Sequence, residues 1–327
     1  MNNIITYETK EAQSQFPDIS VVVITYNQEM YIRECLDSII DQVTQYSFEI
    51  IIGEDCSTDD TLLVCQEYLH KYPQHIRILH SIVNQGFLRN YFSTLSASRG
   101  KYIAPCAGDD YWCDQYKLQK EVDFIKNNSG YSFVRTSGYA LVEGKLEDAT
   151  SYHTTAEGDI SHIAIYGPIA LASSVLFEKT LLKYIDFEEI LNRGILSEDY
   201  LTFSIWSFHT KMGFIPDKSI VYRINQNSMS HTKDWNRRMR MAKSAHCVAY
   251  YLQDLYRDKL PAYFKQSVDD KYYLKLLRIY YEQFNYRQAK KIVKLIQLSS
   301  SKQKKMVIFA HNILTFLVLA IYKKING

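Results

Sequence analysis

Neither G-x-G-x-x-G nor G-x-x-x-x-G-K-[ST] occurs anywhere in the 327 residues. A dinucleotide oxidoreductase and a P-loop NTPase both need such a glycine loop, because its backbone amides cradle the phosphates. Both classes are therefore disfavoured. The six cysteines (Cys35, Cys56, Cys65, Cys106, Cys113 and Cys247) form no C-x-x-C pair and no disulfide-like framework. They read as reduced, structural thiols, and zinc at Cys106 and Cys113 would need further ligands at short spacing. The first 18 residues, "MNNIITYETKEAQSQFPD", lack both a basic start and a useful apolar run. No secretory signal is expected there, and a cytosolic setting follows. No unit recurs often enough for a solenoid.

What is present is globular in character: 46% hydrophobic and 23% charged residues, with length for one large domain or two moderate ones. The 27 tyrosines suit core edges and a polar ring-shaped ligand equally, so they discriminate little. The net charge of +2 hides an asymmetry. Residues 231–327 carry 20 Lys and Arg against 6 Asp and Glu, whereas residues 1–230 carry 18 against 30. An acidic body with a basic tail points to an anionic partner for the tail.

Along the chain, "ISVVVITYN" (Ile19–Asn27) is a β-branched run of the kind that forms a buried parallel strand. A helical pattern follows, with Met30, Ile32, Leu36, Ile39, Ile40 and Val43 on one face. "FEIIIGEDCSTDDT" is a second strand ending in acid, with Ser57, Thr58 and Asp59 placed to cap the next helix. "IRILHSI" is a third strand, "NQGFLRNYFSTLSASRG" a turn and a helix, and "KYIAPC" a fourth strand. This alternation predicts an α/β fold with a mostly parallel sheet flanked by helices. A helix over 116–128, a strand and hairpin from Tyr131, and an extended stretch over 167–179 continue the first domain. Beyond residue 232 the pattern is helical. The expected division is an N-terminal extension over 1–18, a catalytic domain over 19–232 and a basic α-helical region over 233–327.

In open α/β sheets ligands sit beyond the carboxyl ends of the strands. Three strands here end in Thr25-Tyr26-Asn27, Glu54-Asp55 and Asp109-Asp110. Gly-Asp-Asp is ordinary turn chemistry, so a solvated loop is one reading of the last pair. The other is a cation site: a divalent ion relieves the repulsion of adjacent carboxylates and neutralises substrate phosphate where no glycine loop does so. A second pair, Glu198-Asp199, opens a helix, where it is either a partner of the helix dipole or a general base.

The stretches "SVVVITYNQEMYIRECLDSII", "EIIIGEDCSTDDT", "NQGFLRN" and "GKYIAPCAGDDYW", in that order, resemble the successive motifs of glycosyltransferase family 2. The resemblance covers about residues 18–232. It implies a GT-A (Rossmann-like) fold and an inverting, metal-dependent transfer from a nucleotide-activated sugar, most similar to bacterial enzymes that build capsular, exopolysaccharide or O-antigen chains. It also implies roles. Thr25, Tyr26 and Asn27 border the nucleotide, Asp55 accepts a hydrogen bond from the base, and Arg89 and Asn90 form a polar helix start facing the nucleotide. Asp109 holds Mn²⁺ or Mg²⁺ with Asp110 beside it, and Arg223 lies near the diphosphate. Asp199 deprotonates the acceptor hydroxyl, with Glu198 placing it. His231 matches a histidine that reaches the metal in some relatives; a structural histidine is the other reading. One departure stands out, since Ala107 occupies a position where the family often has an acid that meets the ribose or the metal. Donor and acceptor specificity is expected in residues 113–195.

The C-terminal apolar run, Met306 to Tyr322, is shorter than the roughly 20 residues that span a bilayer. Lys302, Lys304, Lys305, Lys323 and Lys324 flank it, which fits a helix lying on an anionic leaflet. A helix packed on the body, or a dimer contact, fits the same pattern. The partners expected are thus a nucleotide-diphosphate sugar and a glycan or lipid-linked acceptor at the cytoplasmic face of the plasma membrane, with no nucleic acid. The alternative is a non-catalytic relative that keeps the fold as a sugar-nucleotide sensor or scaffold. Nucleotidyl transfer is weaker, because its glycine-rich amino-terminal loop is missing.

Overall fold

The computed structural model describes residues 3–13, 16–149, 170–224 and 234–296. The chain divides into two compact units. One comprises Met1–Ile160, Pro168–Asn192 and Thr202–Asn225; the other comprises Ser161–Gly167, Arg193–Leu201 and Gln226–Gly327.

In the first unit, β1 (Ile4–Tyr7) and the short α1 (Lys10–Gln13) precede a regular alternation. It runs β2 (Ile19–Thr25), α2 (Ile32–Ile40), β3 (Phe48–Glu54), α3 (Thr61–Lys71), β4 (Ile76–Ser81), α4 (Phe87–Ala97) and β5 (Tyr102–Ala107). Then come β6 (Tyr111–Trp112), α5 (Lys117–Asn127), β7 (Tyr131–Val142), β8 (Lys145–Asp148), β9 (Val175–Glu178) and α6 (Phe187–Asn192). Helix α7 (Glu198–Ser207) begins among the residues of the second unit, and β10 (Lys211–Ile224) completes the sheet of the first.

The strands are ordered β1-β4-β3-β2-β5-β9-β7-β10-β6, with β8 on β7. Strands β4, β3, β2 and β5 run parallel, as do β7 and β10. Antiparallel pairs join β1 to β4, β9 to β5 and β7, β8 to β7, and β6 to β10. The β-branched runs are buried along nearly their whole length, as strands covered on both faces must be. Ile32, Cys35, Leu36 and Ile39 of α2 join Ile19, Val21, Ile50, Ile52 and Ala104 in the main core. All six cysteines are free thiols. The stretch expected as an extension supplies β1, which closes the sheet edge by pairing Ile4–Tyr7 with Ser81–Ile78. A four-residue run with no partner in sight is too short to declare itself in sequence.

At the amino ends of the parallel strands a buried polar knot sets their stagger. Glu49 Oε1 accepts from Ser20 Oγ (2.6 Å) and the Arg99 amide (2.8 Å), and Glu49 Oε2 accepts from Arg77 Nε (2.7 Å). The Gly100 amide donates to Ser20 Oγ at 2.8 Å. Backbone runs so close here that a Cβ on Gly100 would lie 2.4 Å from the Ser20 amide nitrogen.

Helix α5 departs from simple amphipathicity. Lys117 and Glu121, one turn apart, are both fully buried and paired at 2.7 Å. The Lys117 ammonium lies 4.5 Å from the centre of the Trp112 ring. Burial pushes the Glu121 carboxyl up to about 7, with the Lys117 charge opposing the shift.

The second unit is helical among its described residues: α8 (Trp235–Tyr256), α9 (Phe264–Glu282) and α10 (Tyr286–Val293). Asp234 caps α8 by accepting from the Arg237 amide, and Asn285 caps α10 through the Gln288 amide. Leu277, Tyr281, Ala289 and Val293 form a small core. No helix among the described residues is long and apolar enough to cross a membrane. The expected helix over 306–322 lies outside the described residues, as does His231.

Two measurements check this account. Gly100→Ala forces a side chain into backbone and is expected to cost about 3 kcal/mol in urea unfolding. For Glu121 the folded carboxyl keeps its proton above the ordinary value of 4.5, so its stabilising share is full below about 4.5 and is lost as pH rises through about 7. The Glu121→Gln variant is therefore expected to show a flatter decline of urea midpoint between pH 5 and 7.5 than the wild type.

Candidate functional site

The loops that leave β2, β3 and β5 meet at one edge of the sheet because parallel strands deliver their carboxyl ends together. The Asp55 amide donates to the Thr25 carbonyl (3.2 Å), and the Gly108 amide donates to the Ile24 carbonyl (2.9 Å). Asn27 and Cys56 both adopt left-handed backbone, with φ of 52° and 60°. Asparagine tolerates this and cysteine rarely shows it, so the paired turns are held by what surrounds them. The Asn27 amide donates to Ser57 Oγ (3.0 Å), and Asn27 Oδ1 accepts from the Thr58 amide (2.8 Å). The hydroxyl residues expected to cap α3 thus serve the neighbouring loop, and only Asp59 bonds the helix start, through the Thr61 amide. Tyr26 stands on this edge 45% exposed, with its ring available for stacking.

Asp55 is buried, and both its oxygens are engaged: Oδ1 by the Gln85 amide and Oδ2 by the Gly86 amide, each at 2.8 Å. Burial makes this carboxyl a weaker acid, pushing its pKa above the usual value, and the two amides counter the shift. Its neighbour Glu54 is buried too, paired with His80 Nδ1 at 2.6 Å. On α4, Arg89 is exposed at this end of the helix. Asn90 turns inward instead, buried, and its amide donates to the Gly53 carbonyl at 2.8 Å. It secures the end of β3; the periodicity of α4 would have shown this, since Asn90 shares the buried face with Tyr91 and Thr94.

The Asp109-Asp110 turn divides its two acids by environment. Asp110 is buried, with Oδ2 accepting from Ser173 Oγ (2.6 Å) and Oδ1 from the Arg223 amide (2.9 Å). Burial first, and then the Asp109 charge, push Asp110 up to about 7, against the pull of Ser173 and Arg223. Asp109 is only partly covered. Arg223 then clasps the turn: its Nε donates to the Asp109 carbonyl (2.8 Å), and its Nη2 pairs with Glu34 (2.6 Å). Its guanidinium also lies over the Tyr31 and Tyr111 rings. Arg223, expected near the diphosphate, thus meets the acidic turn through its backbone amide and Nε. Ser173, Glu34 and Tyr31 carried no signal in the sequence; each is an ordinary residue until the fold brings it to the turn.

Beneath the turn, Thr25 Oγ1 and Gln28 Oε1 are buried polar atoms with no hydrogen-bond partner. Both crowd Gly108, where a Cβ would sit 2.5 Å from Gln28 Oε1. A glycine is required there so that the turn can lie on β2. No three His, Cys, Asp or Glu side chains gather as a metal cage among the described residues. One or two carboxylates are nonetheless the usual protein share of a Mg²⁺ or Mn²⁺ site completed by substrate phosphate and water. A partly exposed Asp109 held by an internally bonded Asp110 fits that share.

Glu198 and Asp199 open α7 within the second unit. Asp199 Oδ1 accepts from the Tyr200 amide at 2.7 Å. Burial raises Asp199 to about 6, and raises Glu198 well above the carboxylate range with the Asp199 charge adding to it. Environments that separate two neighbouring acids in this way are characteristic of acid–base pairs.

Comparison with known proteins agrees with this geometry. Residues 20–161 match the family model described as glycosyl transferase family 2. An uncharacterised protein of Mycobacterium tuberculosis is 29% identical over 235 residues, covering 72% of this chain and 67% of that protein. TuaG of Bacillus subtilis, named for teichuronic acid biosynthesis, is 26% identical over 261 residues, covering 75% of this chain and 98% of TuaG. Among solved structures, S. aureus TarS 1–349 in complex with UDP-GlcNAc is similar with a TM-score of 0.56 at 16% identity, over 95% of this chain and 92% of that one. The mannosyltransferase PcManGT from Pyrobaculum calidifontis, in complex with GDP-Man and Mn²⁺, gives 0.55 at 16% identity, over 95% and 89%. The strand-end site therefore lies in a GT-A fold, within the residues 20–161 that match glycosyltransferase family 2.

Proposed function

We propose that this protein is an inverting glycosyltransferase that moves a sugar from a nucleoside diphosphate donor to a hydroxyl of a glycan or lipid-linked acceptor in cell-surface polysaccharide biosynthesis. The observation that carries it is the Asp109-Asp110 turn, which Ser173 and Arg223 hold at the meeting point of three strand-end loops in a family 2 domain. Support for the donor class comes from the UDP-GlcNAc and GDP-Man complexes of similar fold, and support for the process from the role in TuaG's name.

On this reading Tyr26 stacks on the base with Thr25 and Asn27 bordering it, Asp55 accepts a hydrogen bond from the base beside those of the Gln85 and Gly86 amides, Arg89 faces the nucleotide from the start of α4, and Arg223 lies near the diphosphate. Asp109, with Asp110 as its support, would hold Mn²⁺ or Mg²⁺, which supplies neutralising charge to the diphosphate. Asp199, ionised, takes the proton from the acceptor hydroxyl as that oxygen bonds to the anomeric carbon. The bond from that carbon to the diphosphate breaks in the same displacement, so the configuration inverts and no covalent enzyme intermediate forms. Glu198, kept protonated by burial and by its neighbour's charge, helps to place Asp199 and leaves it as the base. The basic region beyond residue 232 gives peripheral contact with an anionic inner leaflet, where a lipid-linked acceptor would be met.

Purified protein offered uridine, guanosine and thymidine diphosphate sugars with Mn²⁺ is expected to release nucleoside diphosphate from one donor, and Asp109→Ala is expected to abolish that release. Donor binding without release, even with lipid-linked acceptors supplied, would mean that the domain is a sugar-nucleotide sensor or scaffold. Because the base must be ionised, kcat/KM is expected to rise about tenfold per pH unit below about 6 and to level off above it. Asp199→Asn should lose on the order of 100- to 10,000-fold in kcat. A pH profile unchanged in that variant would remove Asp199 from the role.

A further inference from the structure

Away from the strand-end loops, the first unit carries a cleft of about 700 Å³ that no role above uses. It is a shallow, open depression, of the kind that lets a chain lie along a surface rather than enclosing a small molecule. Its described walls come from the connection between β6 and α5, from β7 and from β10. The connection is pinned rather than loose. The Gln115 carbonyl accepts from the Val43 amide at 2.7 Å, and the Asp114 carbonyl accepts from Gln42 Nε2 at 2.8 Å.

Strand β10 leaves its ladder at this place. Ile215 pairs with Thr136 of β7 and Lys218 with the next residue, Ser137, so Pro216 and Asp217 are extra. Proline cannot donate to a ladder, and a bulge re-aims the side chains that follow it. Asp217 and Lys218 line the cleft as a result.

The charges within it are already matched. Lys120 lies between Asp114 (2.7 Å) and Asp217 (2.6 Å), and Lys218 is bonded to Asp148 at 2.6 Å. A bare anion would find its cations taken, and a metal ion would find its carboxylates taken. What remains is aromatic surface beside fixed polar groups. Tyr116 is 43% exposed, and Tyr139 also lines the cleft, its ring covered on one side by the Lys218 ammonium 4.5 Å from its centre. Aromatic faces flanked by preorganised donors and acceptors suit a neutral ring rich in hydroxyls. The cleft is also within reach of the catalytic turn: Cys113 on its wall follows Asp110 by three residues, about 10 Å along a strand.

We propose that this cleft binds the sugar residues of a glycan acceptor behind its reacting end, with Tyr116 as the stacking platform and Asp217 and Lys120 as hydrogen-bonding groups. The proposal rests on the glycosyl-transfer reading above, and places acceptor recognition on the β6–α5 connection and the β10 bulge.

The test is saturation-transfer NMR of the full chain with chitotetraose, cellotetraose and maltotetraose, beside UDP and GDP. At least one tetraose is expected to bind and to protect Cys113 from maleimide. Tyr116→Ala and Asp217→Ala are each expected to weaken that binding at least tenfold while leaving nucleotide binding unchanged. Both side chains are on the surface, so neither replacement disturbs the core. Nucleotide binding with no tetraose bound overturns the cleft proposal alone, as does tetraose binding that both variants retain. Binding of neither nucleotide nor tetraose overturns the glycosyl-transfer reading and the cleft with it.

Discussion

A carboxyl group taken out of water must find donors, and Asp110 finds them on two segments remote from it in the chain: the Ser173 hydroxyl and the Arg223 amide. Much of the site's geometry follows from that requirement. Once Arg223 is drawn to Asp110, its side chain reaches the Asp109 carbonyl and Glu34, and so ties β10 to the acidic turn and to α2. Gly108 completes the constraint, because only a residue without Cβ lets the turn settle against Thr25 and Gln28. The outcome is that one acid of the pair is consumed as structure, and its neighbour is left at the edge where a ligand arrives.

The two ends of the sheet show different uses of the same chemistry. At the amino ends, Glu49, Arg77 and Ser20 satisfy one another completely, and the result is rigid registration. At the carboxyl ends, polar atoms are left without partners at Thr25 and Gln28, and left-handed backbone is tolerated at Asn27 and Cys56. Unspent hydrogen-bonding capacity and held strain concentrate where a ligand must be met. The buried Lys117–Glu121 pair under Trp112 belongs to neither class. There a buried amine and a buried carboxyl satisfy one another one helical turn apart, with burial favouring the protonated carboxyl up to about pH 7.

Each unit carries one acidic pair. Asp109 and Asp110 lie on the sheet of the first, and Glu198 and Asp199 open a helix within the second. Their acidities are set locally: burial raises Asp110 to about 7 and Asp199 to about 6, while the amides at hand, Arg223 and Tyr200, pull each back. In both pairs burial is the first cause of the shift.

Much of the scaffold was legible in the chain itself. Runs such as Ile19–Thr25 and Phe48–Glu54 cannot be other than strands covered on both faces, and the spacing of Ile32, Leu36 and Ile39 leaves no alternative to a helix beside them. Because parallel strands end at one edge, the convergence of Tyr26, Asp55 and Asp109 was legible as well. The edge strand Ile4–Tyr7, the inward turn of Asn90, the clasp of Arg223 and the service of Ser173 were not. Local pattern sets which face a residue takes within its own element. Which acid is buried as structure depends on donors supplied by segments 63 and 113 residues away, and only folding chooses those partners.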